Sequence, residues 1–119
     1  MVSRKYQVAS RQLLRQAREE LERGDARQAS EKGWGATAQM VKAIAERRGW
    51  EHRGHRYIHR AARRLRSETG DKEMMQLFQV ANSLHINFYE DDMEAQVVDE
   101  ALDDVDRLLE KLEPLFGDD

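Results

Sequence analysis

The sequence predicts an all-α fold, an antiparallel up-and-down bundle of four to five helices. Three observations lead there. Apolar residues recur at spacings of three and four through most of the chain. β-Branched residues are sparse, and Pro114 is the only proline. Gly24-Asp25 and Gly70-Asp71 stand between periodic stretches, where a left-handed C-cap meets the next N-cap. The length of 119 residues suits a single helical domain over 1–119. A hydrophobic share of 39% is enough for a core, and a charged share of 36% implies long solvated faces. The chain has no cysteine, which excludes disulfides and thiolate chemistry. No apolar run approaches the roughly 18 residues of a membrane span. The first ten residues, MVSRKYQVAS, lack the apolar core of a signal peptide. A cytoplasmic protein without membrane contact is the expectation.

Helix one is expected over Ser3 to Arg23, with Tyr6, Ala9, Ser10, Leu13, Leu14, Ala17 and Leu21 on its buried stripe. Helix two follows within a turn too short for anything but a hairpin, and runs from Asp25 towards Gly49. It has two stripes. One holds Ala26, Ala29, Gly33, Ala36, Thr37, Met40 and Ile44; the other holds Trp34, Ala38, Val41 and Ala45. A helix apolar on two faces belongs in the middle. Gly33 and Gly35 each cost about 1 kcal/mol relative to alanine in mid-helix. That cost is intelligible where another backbone or a ligand passes close by.

Helix three is expected from His55 or Arg56 to Thr69, with Tyr57, Ile58, Ala61, Ala62 and Leu65 as its modest apolar face. Helix four runs from Lys72 to about Tyr89, with Met74, Leu77, Phe78, Ala81, Leu84, His85 and Phe88 on one stripe. Helix five runs from Met93 to about Leu115. There Val98, Ala101, Val105, Leu108, Leu112 and Leu115 form a heptad-like seam, suited to packing within a bundle or against a second subunit. Gly117-Asp118-Asp119 should fray.

The net charge of −3 hides an asymmetry. Residues 47–66 carry Arg47, Arg48, Arg53, Arg56, Arg60, Arg63, Arg64 and Arg66 against Glu51 alone, whereas residues 90–119 carry thirteen acids against Arg107 and Lys111. The acidic segment is a ready partner for the basic one, within the fold or across a dimer. The other reading is a nucleic-acid or phosphate patch on the arginines.

Two stretches go beyond a generic helical pattern: Ala29-Ser-Glu-Lys-Gly-Trp-Gly-Ala-Thr37, followed by Val41 to Ala45, and Leu84-His-Ile-Asn-Phe-Tyr-Glu90. Between them lie Gly49, Trp50, His52, Gly54 and His55. The combination resembles the archaeal PaREP-type family within the HEPN-like superfamily, over about Tyr6 to Leu112. The resemblance implies an antiparallel helical bundle that dimerises. It also implies either a metal-independent ribonuclease or an inactive module that binds RNA, a nucleotide or a nucleotidyltransferase-like protein partner. In the ribonuclease members an arginine precedes a histidine by four to six intervening residues. There the histidine moves a proton and the arginine steadies the charged phosphorane. Here His85 matches the histidine, but the arginine positions hold Phe78, Gln79 and Val80. The motif is broken.

His85 therefore has two readings, a hydrogen-bonded core histidine or a general acid/base, with Asn82, Asn87, Tyr89 and Glu90 as polar company. His52, His55 and His59 are spaced H-x2-H-x3-H, and His55 and His59 would face together on a helix. Only Glu51 could complete a ligand set and the arginines repel a cation, so no metal and no cofactor is expected. Arg53, His55 and Arg56 read instead as an anion contact at a helix N-terminus. Asn82 and Tyr89 join them as ligand-binding candidates. Trp34 and Trp50 read as core anchors. Three functions follow: a homodimeric module that binds RNA, a nucleotide or a protein; a ribonuclease acting through His85; or an oligomer held by the helix-five seam.

Overall fold

The small residues of the second segment decide how the helices are arranged. In a computed structural model, which describes residues 2–116, the order is α1 (Val2–Glu22), α2 (Ala26–Arg47), α3 (His55–Thr69), α4 (Lys72–Glu90) and α5 (Ala95–Phe116). No strand occurs among the described residues. Gly117 to Asp119, expected to fray, lie outside them. α2 packs against every other helix, and Ala29, Ala36, Met40, Val41, Ala43, Ile44 and Ala45 are fully buried. α1, α2, α4 and α5 form the bundle, and the backbone of the shorter α3 lies close to α2 and α4.

The two mid-helix glycines explain the close packing. A Cβ on Gly33 would stand 2.7 Å from Leu102 Cδ2 and 3.0 Å from Leu84 Cδ1, so α4 and α5 both close on this position. A Cβ on Gly35 would meet only Leu13 Cδ1, at 3.3 Å. What passes close to both glycines is therefore leucine side chains, rather than the backbone or ligand the sequence suggested.

The caps are those the sequence marks. Asp25 accepts from the Gln28 amide at 2.9 Å, and Asp71 accepts from the Met74 amide at 3.2 Å. Gly70, at φ 68°, closes α3 in the left-handed region, and Asp91, at φ 52°, closes α4 in the same way. Asn87 holds the α4–α5 turn together. Its Oδ1 accepts from the amides of Asp92 and Met93, each at 2.9 Å, and its Nδ2 donates to Ser30 Oγ at 2.9 Å. Ser10 Oγ donates to the Ala36 carbonyl at 2.6 Å, stitching α1 to α2.

The seam of α5 is spent inside the chain. Val98, Val105 and Leu108 are fully buried and Ala101 and Leu112 nearly so. Leu102, Leu109 and Phe116 widen the seam into a broad face. The idea that this seam builds an oligomer is thereby corrected, because α1, α2 and α4 already cover it.

The acids of α5 likewise find partners other than those expected. Arg11 bridges Asp106 and Glu113, and Arg18 meets Asp103, tying α1 to α5. Arg107 and Lys111 reach Glu73 and Asp71 at the start of α4. α5 meets α3 only through apolar side chains, Leu108 and Leu112 lining one buried space with Ala62 and Leu65, and no ion pair joins the two helices among the described residues. Among the described residues the arginines of α3 are thus not neutralised by the acidic segment. Arg48 pairs with Glu68. Arg56, Arg60, Arg63, Arg64 and Arg66 form no ion pair among the described residues.

Candidate histidine and arginine site

Three of the four histidines converge where α2, α3 and α4 meet. His55 and His59 lie one turn apart on α3, so their side chains emerge on the same flank. Their Nε2 atoms are 2.7 Å apart, close enough for one to donate to the other. His85 arrives from α4, its ring stacked on that of His55 with centroids 4.9 Å apart. The floor beneath them is Trp34 of α2, whose ring centroid lies 5.0 Å from His55, 5.9 Å from His59 and 5.3 Å from His85. Phe78 closes the far side, edge-on to Trp34 and His59. Trp34 is a core anchor, as the sequence indicated, and also the platform on which the imidazoles rest.

Glu31 on α2 orients the α4 histidine: its Oε1 lies 2.9 Å from His85 Nδ1. A carboxylate at Nδ1 holds the proton there and leaves Nε2 free to accept or deliver one. Both groups are partly exposed, at 25% and 33% of their side-chain surface, so the site is open to a solute. Burial pushes the His59 imidazole below its ordinary pKa, and charge on His55, Arg63 and His85 pushes the same way; nearby Asn82 opposes them. Asn82 Oδ1 is itself buried without a hydrogen-bond partner.

The predicted site residues divide clearly. His85, His55, Asn82 and Tyr89 gather here, with Tyr89 edge-on to His85 at 5.6 Å. Asn87 does not belong to this company; it points to Ser30 and the α4–α5 turn. His52 does not join His55 and His59. It turns to Tyr6 of α1, edge-on at 5.9 Å, with Nδ1 buried and unpartnered. Arg53 is exposed beside Glu51, and Arg56 donates to the Tyr57 hydroxyl at 3.1 Å. Neither guanidinium touches the imidazoles, so the anticipated anion contact at the N-terminus of α3 is not assembled as one unit.

Glu31 and His59 were missed as members of the site. The i, i+4 spacing of His55 and His59 is the signal in the sequence that places both rings on one flank; Glu31 carries no such signal, being 54 positions from His85. Among the described residues no three His, Asp or Glu side chains are arranged to hold a metal ion. No helix among them is long and apolar enough to cross a membrane.

The positions of the missing motif arginine are taken up otherwise: Phe78 is buried against Trp34, Gln79 is exposed and Val80 is half-buried. What stands near the imidazoles in its stead is the outer row of α3, of which Arg63 acts on His59. Nothing among curated proteins and nothing among solved structures matches the chain. The profile of the archaeal PaREP1/PaREP8 family matches residues 5–109, which takes in both sequence stretches, all three imidazoles and the arginines of α3, and the chain belongs to that family.

Proposed function

We propose that this protein is a HEPN-like module that binds RNA through its phosphate backbone, at the imidazole cluster and along the arginines of α3. The observation that carries this reading is the uncompensated charge of α3. Its guanidiniums stand beside three clustered imidazoles, and the ion pairs of α5 run to α1 and to the start of α4 rather than to α3. A row of unpaired arginines is kept in water at no benefit to folding, whereas a polyanion releases counterions when it meets one. A second copy pairing through the outer face of α4 belongs to the same reading. Ile86 and Tyr89 are exposed there, at 51% and 68%, one turn apart and next to His85.

Binding of a labelled oligoribonucleotide tests this. Affinity should fall steeply with salt, and each phosphate contact removed should reduce the log–log slope by roughly 0.7 for a single strand. Binding indifferent to salt, or none at low salt, would dispose of the reading. Sedimentation of wild type and Tyr89→Asp tests the dimer; a monomer in both would remove it.

The Glu31–His85 pair favours a second reading, cleavage of the bound strand. Nε2 of His85 would take the proton from a 2′-hydroxyl as its oxygen attacks phosphorus, while His59 or Arg63 meets the phosphate charge. The P–O5′ bond would break to leave a 2′,3′-cyclic phosphate, and the leaving oxygen would take its proton from water or from the protonated His85. RNA should then be cut without added metal. Glu31→Gln and His85→Ala should each slow the cut by roughly a hundredfold or more, with little change in melting temperature. Wild-type protein that leaves RNA intact would confine the site to binding.

A further inference from the structure

α3 has a second flank, and it is built as differently as its sequence allows. His55 and His59 leave one side of the helix. Tyr57, Ala61 and Arg64 leave the other, where Trp50 of the α2–α3 loop packs beside them. Trp50, Glu51, Tyr57, Arg60, Ala61 and Arg64 enclose a recess of ≈120 Å³. Arg60 and Arg64 also line the adjoining open trough of ≈360 Å³, which continues past Arg63 to Ser67. The two spaces form one groove along α3.

Guanidiniums and rings alternate in it. Arg64 lies 3.9 Å from the centre of the Trp50 ring, with Arg48 at 5.3 Å from the same ring. Arg56 and Arg60 lie 5.0 and 5.2 Å from the centre of Tyr57. A guanidinium resting on a ring is held in a fixed plane with its N–H edge facing outward, so less freedom is lost when it grips a phosphate. Two acids line the groove as well, and both are engaged within the fold. Glu51 accepts from the amides of His52 and Arg53, and Glu68 pairs with Arg48. What remains open is positive charge alternating with π-faces, which is the chemistry of unpaired bases joined by phosphates.

We propose that this groove is a stacking subsite for single-stranded RNA, in which unpaired bases lie against Trp50, Tyr57 and the planar guanidiniums of Arg60 and Arg64. The proposal rests on the RNA reading above and deepens it, because it names the strand form selected. The crest of α3 carries Arg56 and Arg63 between the groove and the imidazoles. A helix is about 10–12 Å across with its side chains. One strand crossing that crest therefore places its bases at Trp50 and a phosphate a few nucleotides away at His55, His59 and His85. A duplex keeps its bases stacked inside and offers the groove nothing but phosphate.

The test compares a short fluorescein-labelled oligouridylate with the duplex it forms with oligoadenylate, at matched salt. Wild type should bind the single strand at least roughly tenfold more tightly, from the usual strength of one base–aromatic stack. It should also show quenched tryptophan fluorescence on binding. Trp50→Leu should lose that preference and the quenching while keeping the salt slope and the duplex affinity. Trp50 is half-buried against the core, so Tyr57→Leu is measured beside it and decides the matter if Trp50→Leu fails to fold. Salt-dependent binding with equal affinity for both strand forms, or unaltered by Tyr57→Leu, overturns the subsite and leaves the RNA reading standing. No RNA binding by wild type overturns both.

Discussion

Two residues on α4, His85 and Asn87, show how much a shift of two positions means on a helix. At about 100° per residue they point to nearly opposite sides, so they cannot serve one cluster. The sequence carried that signal, but grouping polar neighbours along the chain obscured it. Asn87 is a structural residue with three hydrogen bonds, one to Ser30 and two to the turn amides. Asn87→Ala should destabilise the protein by about 1–3 kcal/mol, since it takes the acceptor from two part-buried turn amides and leaves Ser30 Oγ with its bond to the Ala26 carbonyl alone. Urea unfolding measures this, and RNA affinity should be unchanged while the protein is folded.

His59 supplies a prediction in pH. Its folded pKa lies below the ordinary 6.5, first because of burial and then because of charge on His55, Arg63 and His85, while Asn82 opposes. The neutral ring is thus the form the fold favours. Above the unfolded value both states are neutral, and the contribution to stability is fully present. As pH falls below it, the unfolded chain takes up the proton first, and stability is lost until the folded ring titrates. The melting temperature should therefore drop between pH 7 and pH 5, and His59→Gln should flatten part of that drop. An identical pH profile in the variant would remove His59 from the explanation.

Among the helices, α2 and α5 divide what periodicity reveals from what it conceals. The small-residue double stripe of α2 announced a central helix, and every helix does pack on it. The boundaries of the five helices also fall within two residues of those expected, because their Gly and Asp signals are local. The seam of α5 was equally plain, but a stripe says only that something covers it. Here the cover is α1, α2 and α4, and Leu102 and Leu109 complete it. Leu108→Asp should therefore unfold the protein outright, since a carboxylate there has no partner and no water; a folded, merely monomeric variant would contradict this. The two glycines of α2 should respond with opposite signs. Gly35→Ala gains helix propensity, about 1 kcal/mol, and half-buried Leu13 can yield the few tenths of an ångström needed. Gly33→Ala gains the same but drives into fully buried Leu102 and Leu84, which should cost about 1–3 kcal/mol of overpacking. Thermal melts of the two variants should move apart, Gly35→Ala upward and Gly33→Ala downward.

Across the whole molecule, the site and the charge pattern both come from which helices touch. Neither could be read from spacing alone. Both charge blocks are equally plain in the sequence, yet whether they cancel depends on which faces of α3 and α5 meet: their apolar faces share one buried space, while the ion pairs of α5 go to α1 and α4. Glu31 and His85 are 54 positions apart and become partners only when α4 lies along α2. Reversing two crest charges, Arg56→Glu with Arg63→Glu, should weaken RNA binding by more than roughly tenfold at low salt. It should leave unfolding by urea nearly unaltered, because neither guanidinium forms an ion pair in the fold among the described residues.

The segregation of the α3 arginines from the carboxylates of α5 has a kinetic consequence. A net charge of −3 would by itself slow the approach to a polyanion. Segregated charge gives the molecule a large electric dipole instead, and the field of a nucleic acid exerts a torque that turns the arginine edge forward before contact. Encounters should then be faster than the overall sign of the protein would permit, and the acidic back should discourage a second strand from landing behind the first.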